Sequence, residues 1–355
     1  MKRRTFLGSG AAVTACLAGC SANPVDSDES DDGTLAVATY GSFVDAPSDS
    51  PGAWIKEEFD ARHDATLEWH TPDQGINYYI ERHNSDVEIE PDLYLGFGPH
   101  ELVRVDRNTD GELFGQWDES RFEHLADVDE QFYFDPQDRT IPVDSSYCAL
   151  VYDGRTVPEP ETLEDLLDPA YEGRIALANP QGATTGLLFL LWTIDEFGEE
   201  GYLEYWQGLL ENDVRILDSW ADVYTQFEEG EAPVIVSYSN DRVYAKRAGS
   251  DLEKHRVAMP NGEAYASIEG MARFAEGTND GPAHQFADFV LSPEVQAVIA
   301  ERNVTGPVNT EATPPEVYRE FAREPDEPVF FGYDALAEGL PGWIEDWSDA
   351  VAGGR

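Results

Sequence analysis

TLAVATYGS, residues Thr34–Ser42, opens the folded part of this chain as a β-strand: apolar and β-branched residues run between bounding glycines. The pattern then alternates. Pro51–His63 reads as a helix, with Pro51 suited to the first turn and Trp54, Ile55 and Phe59 sharing one face. Ala65–His70 is a second strand, Ile76–His83 a helix, and PDLYLGF, Pro91–Phe97, a third strand closed by Gly98-Pro99. His100–Val105 opens the next helix. Strand–helix alternation of this kind predicts a parallel sheet with crossover helices, an α/β protein.

The remainder continues in the same register. Ile141–Tyr152 is a long extended run, followed by a helix near Leu163–Leu167, a strand at Arg174–Ala178 and a loop at Asn179–Gly186. Two helices follow, Leu187 to about Glu196 and Tyr202–Glu211. Strands Val214–Leu217 and Pro233–Tyr238 flank a helix at Ala221–Glu228. Ser267–Phe274 is extended, Gly281–Leu291 and Pro293–Arg302 are helices, and Pro341–Val351 is a final helix. There is no repeat at a solenoid period. The 355 residues supply enough material for two lobes.

Composition excludes one class of partner. With 71 acids against 23 bases the formal net charge is −48, so nucleic acid would be repelled. Hydrophobic content of 41% and 12% aromatics place the chain among folded proteins rather than acidic disordered ones. Lys2, Lys56, Lys246 and Lys254 are its only lysines. Acids spread over the whole chain, with so few lysines, predict adaptation to high salt, where a Debye length of roughly 3 Å screens the self-repulsion.

The first twenty residues read as an address. Lys2, Arg3 and Arg4 precede the short apolar stretch Phe6–Ala18, too short and too rich in small residues to span a bilayer. Arg3-Arg4 followed by Phe6-Leu7 looks like a twin-arginine export signal. Leu17-Ala18-Gly19-Cys20 resembles a lipobox, which predicts lipidation of Cys20 and a chain held on the outer face of the cytoplasmic membrane. Residues 21–33, SANPVDSDESDDG, read as a flexible acidic tether. With Cys16 in the signal and Cys20 carrying lipid, Cys148 stands alone, so no intramolecular disulfide is expected. Its apolar surroundings predict a buried structural thiol.

Catalytic and cofactor motifs are missing: no phosphate-binding loop, no dinucleotide fingerprint, no C-x-x-C, H-E-x-x-H or G-x-S-x-G. The seven histidines are scattered without ligand spacing, so neither a cofactor nor a metal is expected. In open α/β sheets ligands sit beyond the carboxyl ends of the strands. Those ends are Tyr40–Phe43, Gly96–Pro99, Asn179–Gly186, Asp218–Trp220 and Tyr238–Asp241, rich in Tyr, Trp, Ser and Thr and sparing in charge. Ligand capture is predicted rather than catalysis.

From Thr34 to the C-terminus the chain resembles the thiamine-binding periplasmic proteins of ABC importers, within the type II solute-binding superfamily. The segments that carry the resemblance are ATYGSF (Ala38–Phe43), PDLYLGFG (Pro91–Gly98), PVDSSYCALVYD (Pro142–Asp153), NPQGATTGLLFLLW (Asn179–Trp192), DSWADVYTQF (Asp218–Phe227), VSYSNDRVY (Val236–Tyr244), DFVLSPEVQ (Asp288–Gln296) and PGWIEDWSDAV (Pro341–Val351). It implies a two-lobed, periplasmic-binding-protein-like type II fold that closes on ligand in a cleft between the lobes. Residues 34–140 with 267–305 would form the first lobe, and 141–266 with 306–355 the second. The implied protein is a monomer that delivers thiamine or its phosphates to a membrane permease.

A flat cation such as a thiazolium ring is held by aromatic faces. The resemblance assigns these to Tyr40, Trp220, Tyr238 and Tyr244. It gives Thr184, Thr185 and Gly186 the helix N-terminus that could hold a hydroxyl or phosphate. Ser42, Gly98 and Ser145 lie at neighbouring strand ends as polar contacts. Each has a structural alternative: core packing for Tyr40, Trp220 and Tyr238, a helix cap at Thr184-Thr185, a surface position for Tyr244. Two positions depart from the family: Gly41 stands where it has aspartate and Val304 where it has tryptophan. A missing cation–π face would cost about 1–2 kcal/mol unless Trp54 or Phe330 supplies it from elsewhere. The same fold serving ferric iron, a polyamine or a phosphonate is the alternative. The adjacent Tyr78-Tyr79 fall in the first lobe, whereas iron-binding relatives use two adjacent tyrosines in the second.

Overall fold

The computed structural model describes residues 33–46 and 49–353. The expected signal, Cys20 and the tether through residue 32 lie outside the described residues. Among those described, no helix is long and apolar enough to cross a membrane.

Eight principal strands are β1 (Thr34–Ala38), β2 (Thr66–His70), β3 (Leu93–Phe97), β4 (Thr140–Tyr152), β5 (Ile175–Ala178), β6 (Arg215–Leu217), β7 (Val234–Tyr238) and β8 (Glu263–Phe274). They lie side by side in the order β2-β1-β3-β8-β4-β7-β5-β6, with four shorter strands pairing onto β4 and β8. β1, β2 and β3 are parallel, as are β5, β6 and β7. The two long strands β4 and β8 are antiparallel to each other and to the trios they meet. Each is long enough, at 13 and 12 residues, to join one trio at one end and leave it at the other. This is the mixed α/β architecture of a two-lobed type II fold, with the crossing strands between the parallel trios.

The trios read as nearly continuous apolar runs because helices cover both faces. The helices are α1 (Gly52–Arg62), α2 (Ile76–Asn84), α3 (Pro99–Thr109), α4 (Thr184–Glu211), α5 (Trp220–Glu229), α6 (Asp241–Ala248), α7 (Asp280–Leu291), α8 (Pro293–Arg302) and α9 (Tyr333–Gly353). On one side of the first trio, Leu35, Val37, Leu67 and Leu95 pack with Phe59 of α1 and Phe286 and Val290 of α7. On the other side, Tyr79 and Ile80 of α2 meet Leu102 and Val105 of α3. Over the second trio, Phe189, Trp192 and Trp206 of α4 pack with Leu336, Trp343 and Trp347 of α9. Burying one such aromatic side chain is worth about 2–3 kcal/mol.

Several boundaries move for physical reasons. β1 stops at Ala38, and Gly41–Val44 turns into one helical turn that buries Phe43. The two helices expected around residues 187–211 form the single element α4, broken at Gly198, where φ of 70° and ψ of 170° interrupt the helix. α4 also starts earlier, at Thr184, so the expected loop ends there. The tail helix starts eight residues before Pro341, because Leu336 and Leu340 join the same core as Trp343 and Trp347. α9 also reaches α3: the Tyr333 hydroxyl donates to Asp106 Oδ2 at 2.6 Å. α6, rich in charged residues, has no apolar period to announce it, and it supplies part of the site below.

Candidate ligand-binding site

A cavity of about 480 Å³ opens where the crossing strands meet the ends of β1 and β7. Five aromatic rings line it: Tyr40, Trp220, Tyr224, Tyr238 and Tyr244. The strands place them. Tyr40 follows β1, Tyr238 closes β7, Trp220 opens α5, Tyr224 stands one turn later on the same face, and Tyr244 lies on α6. Serines 42, 146, 237 and 267, with Asn240, Asn303 and Thr305, add hydrogen-bonding groups.

Each ring is held. Tyr40 lies against β3 at Gly96, whose φ of +91° and missing side chain make room; a Cβ there would sit 2.4 Å from Tyr40 Cε1. Its hydroxyl accepts from Asn303 Nδ2 at 3.0 Å. Trp220 donates from Nε1 to Ser237 Oγ at 3.0 Å and is 39% exposed, so one face of the indole is free. Tyr224 lies 5.0 Å from it at an interplanar angle of 36°, and its hydroxyl donates to Asp241 Oδ1 at 2.6 Å. Asp241 in turn meets His255 Nδ1 at 2.8 Å. Tyr244 donates to the Asn303 carbonyl at 2.9 Å. Burial pushes the hydroxyls of Tyr40 and Tyr238 upward and that of Tyr244 to about 12, so all three stay protonated donors.

The cavity is more acidic than the sequence suggested. Asp49, Asp241 and Glu269 line it, while no lysine or arginine does among the described residues. Glu269 of β8 is paired in register with Asp144 of β4, so the two side chains share one face of the sheet. Asp144 is almost fully buried and accepts from Thr305 Oγ1 at 2.9 Å and Asn303 Nδ2 at 3.4 Å. Glu269 Oε2 is buried with no hydrogen-bond partner. Desolvation pushes both carboxyls above the usual range, and Asp144 raises Glu269 further.

Of the residues singled out from sequence, Tyr40, Ser42, Trp220, Tyr238 and Tyr244 are brought together around this cavity. Ser145 is not; it faces a separate groove, and its neighbour Ser146 takes the cavity side. Gly98 starts α3, where its N–H donates to Glu101 Oε2 at 3.0 Å, and does not line the cavity. Thr184, Thr185 and Gly186 do sit at a helix N-terminus, also outside the lining. Neither threonine caps it: the N-cap is Ala183, and the buried Thr185 Oγ1 has no partner. Gly186 is required by packing, since a Cβ would lie 2.1 Å from the Ala178 carbonyl oxygen.

Val304 is fully buried with Val243, Tyr318 and Phe321, in a left-handed conformation (φ 59°) that is rare for a β-branched residue. It offers the cavity no face. Trp54 and Phe330 do not replace one; they pack against the two cores of the first trio. The additional ring is Tyr224. Its signal was the four-residue spacing from Trp220 on one helix face. Glu269, in SIEGMARF, is one of 71 acids, and its residue type gave no signal of a place in the site. Gly41 leaves open space where a side chain would go. Tyr78 and Tyr79 stand on α2 away from the cavity, and among the described residues no group of acids, histidines and cysteines is placed to hold a metal ion.

Residues 102–326 match the bacterial extracellular solute-binding protein family, and the chain belongs to it. It is 26% identical over 321 residues to the thiamine-binding periplasmic protein of Brucella suis, covering 90% of this chain and 92% of that one. To the thiamine-binding periplasmic protein of Escherichia coli K12 it is 25% identical over 319 residues, covering 90% and 93%. A solved structure of a periplasmic thiamin binding protein superposes with a TM-score of 0.76 at 25% identity, covering 90% of this chain and 96% of that one.

Proposed function

We propose that this protein is the extracellular capture subunit of an ABC importer and that its ligand is thiamine or one of its phosphates. The observation that carries the reading is the ring-lined cavity: five aromatic side chains around one space of about 480 Å³, the volume class of a small-molecule site. Tyr40, Trp220, Tyr238 and Tyr244 offer faces to a flat cation. Ser42 and the other serines offer hydroxyls to the aminopyrimidine and the alcohol. Gly98, Thr184, Thr185 and Gly186 come into contact only if the lobes rearrange on binding, and Ser145, on the opposite face of β4, has no part in the site. The lobes would be residues 34–140 with 267–305, and 141–266 with 306–355. Lipid on Cys20 would tether a monomer to the outer face of the membrane beside its permease, in a salt-rich setting.

The test is titration calorimetry in molar KCl with thiamine, its mono- and diphosphate, spermidine, ferric citrate and a phosphonate. Micromolar or tighter binding of a thiamine compound, with the others silent, is the expected result. No heat from any thiamine compound, or tighter binding of spermidine, iron or the phosphonate, overturns the reading.

A further inference from the structure

The cavity holds three carboxyl groups, and they are not equivalent. Asp49 stands at the mouth, with half its side chain exposed. Asp241 is engaged on both oxygens, by the Tyr224 hydroxyl at 2.6 Å and His255 Nδ1 at 2.8 Å. Glu269 differs from both. It comes from the centre of the sheet, lines the cavity, and its buried Oε2 makes no well-formed hydrogen bond, with the Tyr40 hydroxyl as the one group near it that favours its charge. A buried carboxyl oxygen without a well-formed hydrogen bond is costly, and native proteins keep such groups mainly where something else completes them.

Of its neighbours only the Tyr40 hydroxyl favours a negative charge on it. Asp144 sits directly across the strand pair. Tyr40 after β1, Tyr94 on β3, Tyr238 on β7 and Glu101 on α3 are the other titratable groups whose charge acts on it or responds to it. No base lines the cavity among the described residues. The Tyr40 hydroxyl faces the carboxyl while accepting from Asn303. Asn303 and Thr305 donate to Asp144 and so lock that partner in place. The site is therefore a base-free, ring-walled space with a buried acid pair in its wall that no cation of the protein meets.

We propose that Glu269, opposite Asp144 on the crossing strands, is the specificity-determining residue of the cleft, and that it reads the positive charge of the ligand ring. This rests on the thiamine reading above and sharpens it: the rings accept any flat aromatic, whereas Glu269 selects the cation. With the cleft empty, burial and mutual repulsion keep a proton on the pair. A bound cation favours the ionised carboxylate, so the ligand displaces that proton into solvent. Salt does little to this contact, because screening acts on exposed charges and not on a pair sealed in the sheet.

The experiment compares thiamine with its neutral analogue in which a thiophene replaces the thiazolium, against the wild-type chain and Glu269→Gln, by calorimetry in molar KCl. Wild type is expected to favour thiamine by about 10- to 100-fold, the range of a hydrogen-bonded or desolvated charge contact. Glu269→Gln is expected to bind both within about threefold, by losing affinity for thiamine and not for the analogue. A purely structural role would weaken both ligands equally. A second measurement needs no variant: in buffers of different ionisation enthalpy, thiamine should release a proton from wild type somewhere between pH 5 and 8, and the neutral analogue should not. Equal affinity of wild type for both ligands, preserved discrimination in Glu269→Gln, equal weakening of both, or no proton release overturns the inference. Failure of wild type to bind either ligand instead overturns the thiamine reading on which it stands.

Discussion

Ser145 and Ser146 are neighbours on β4, yet they belong to different surfaces. Ser146 faces the cavity of about 480 Å³, with Ser267 and Glu269 of β8 on the same side. Ser145 and Tyr147 face a groove of about 540 Å³ on the opposite side, closed by residues 306–310, Tyr318 and Arg319. Size does not separate the two. What separates them is how their polar groups are spent. In the groove, Asn309 donates to the Leu291 carbonyl at 2.8 Å and accepts from the Glu311 N–H at 2.8 Å, and Arg319 donates to the Pro314 carbonyl at 3.1 Å. In the cavity, Glu269 keeps an unpaired oxygen and five rings converge on open space. The Asn309 and Arg319 bonds are spent within the protein, whereas the buried Glu269 oxygen has something to gain from a guest.

The largest effect should come from closing the cavity outright. Ser146→Phe projects a ring into the space between Trp220 and Glu269, and binding of thiamine should fall by about 100-fold or more. Ser145→Ala, one residue away on the other face, should leave the affinity within about twofold. Calorimetry measures both, and an unchanged melting temperature shows that the chain still folds. If the two variants behave alike, Ser145 and Ser146 do not serve opposite faces of β4.

Next in size is the removal of one ring. Trp220→Ala takes away a face and leaves Tyr224 without the ring tilted against it, which should cost about 2 kcal/mol, or roughly 30-fold in affinity. Fluorescence titration or calorimetry reports it. An unchanged affinity would mean that the indole, held by Ser237, merely closes the mouth.

A smaller, pH-dependent effect bears on the ligand-free protein. Burial raises both carboxyls of the Glu269–Asp144 pair, so the folded chain holds their proton more tightly than the unfolded chain does. Their contribution to stability is therefore greatest below the ordinary carboxylate range, near pH 4, and is lost as pH rises through the raised values. Glu269→Gln carries no such proton. Relative to wild type it should gain stability progressively as pH rises above the ordinary carboxylate range, read from chemical denaturation in molar salt. A difference that does not vary with pH would mean that the pair does not titrate in that window.

Much of this architecture was legible in the sequence, because the apolar runs of β1, β3 and β7 and the amphipathic helices between them carry their own periods. Four of the aromatic residues at the cavity were legible through the family resemblance, and Tyr40, Trp220 and Tyr238 also stand at expected strand ends, whereas Tyr244 lies on α6. Glu269 was not. In a chain with 71 acids, residue type cannot distinguish a buried carboxyl from a solvated one; only the pairing of β8 with β4 does. Ser145 failed for a related reason. A strand sends neighbouring side chains to opposite faces, so an error of one position exchanges cavity for groove. Val304 required the backbone: its positive φ turns the side chain into a small core, and no sequence pattern announces that.

The smallest effect is the most exacting test of the comparison between the faces. Tyr147→Phe removes a hydroxyl from the groove, and Arg319→Ala removes its base, while neither residue lines the cavity. Both substitutions should leave thiamine affinity within about twofold, since side chains that do not share partners act independently. The crossing strands nevertheless connect the faces, because the backbone that carries Ser145 and Tyr147 also carries Asp144 and Ser146. If either variant shifts affinity by tenfold or more without a change in melting temperature, the groove is coupled to the cavity through β4. The two faces would then be one device, with the position of the strand reporting occupancy from one side to the other.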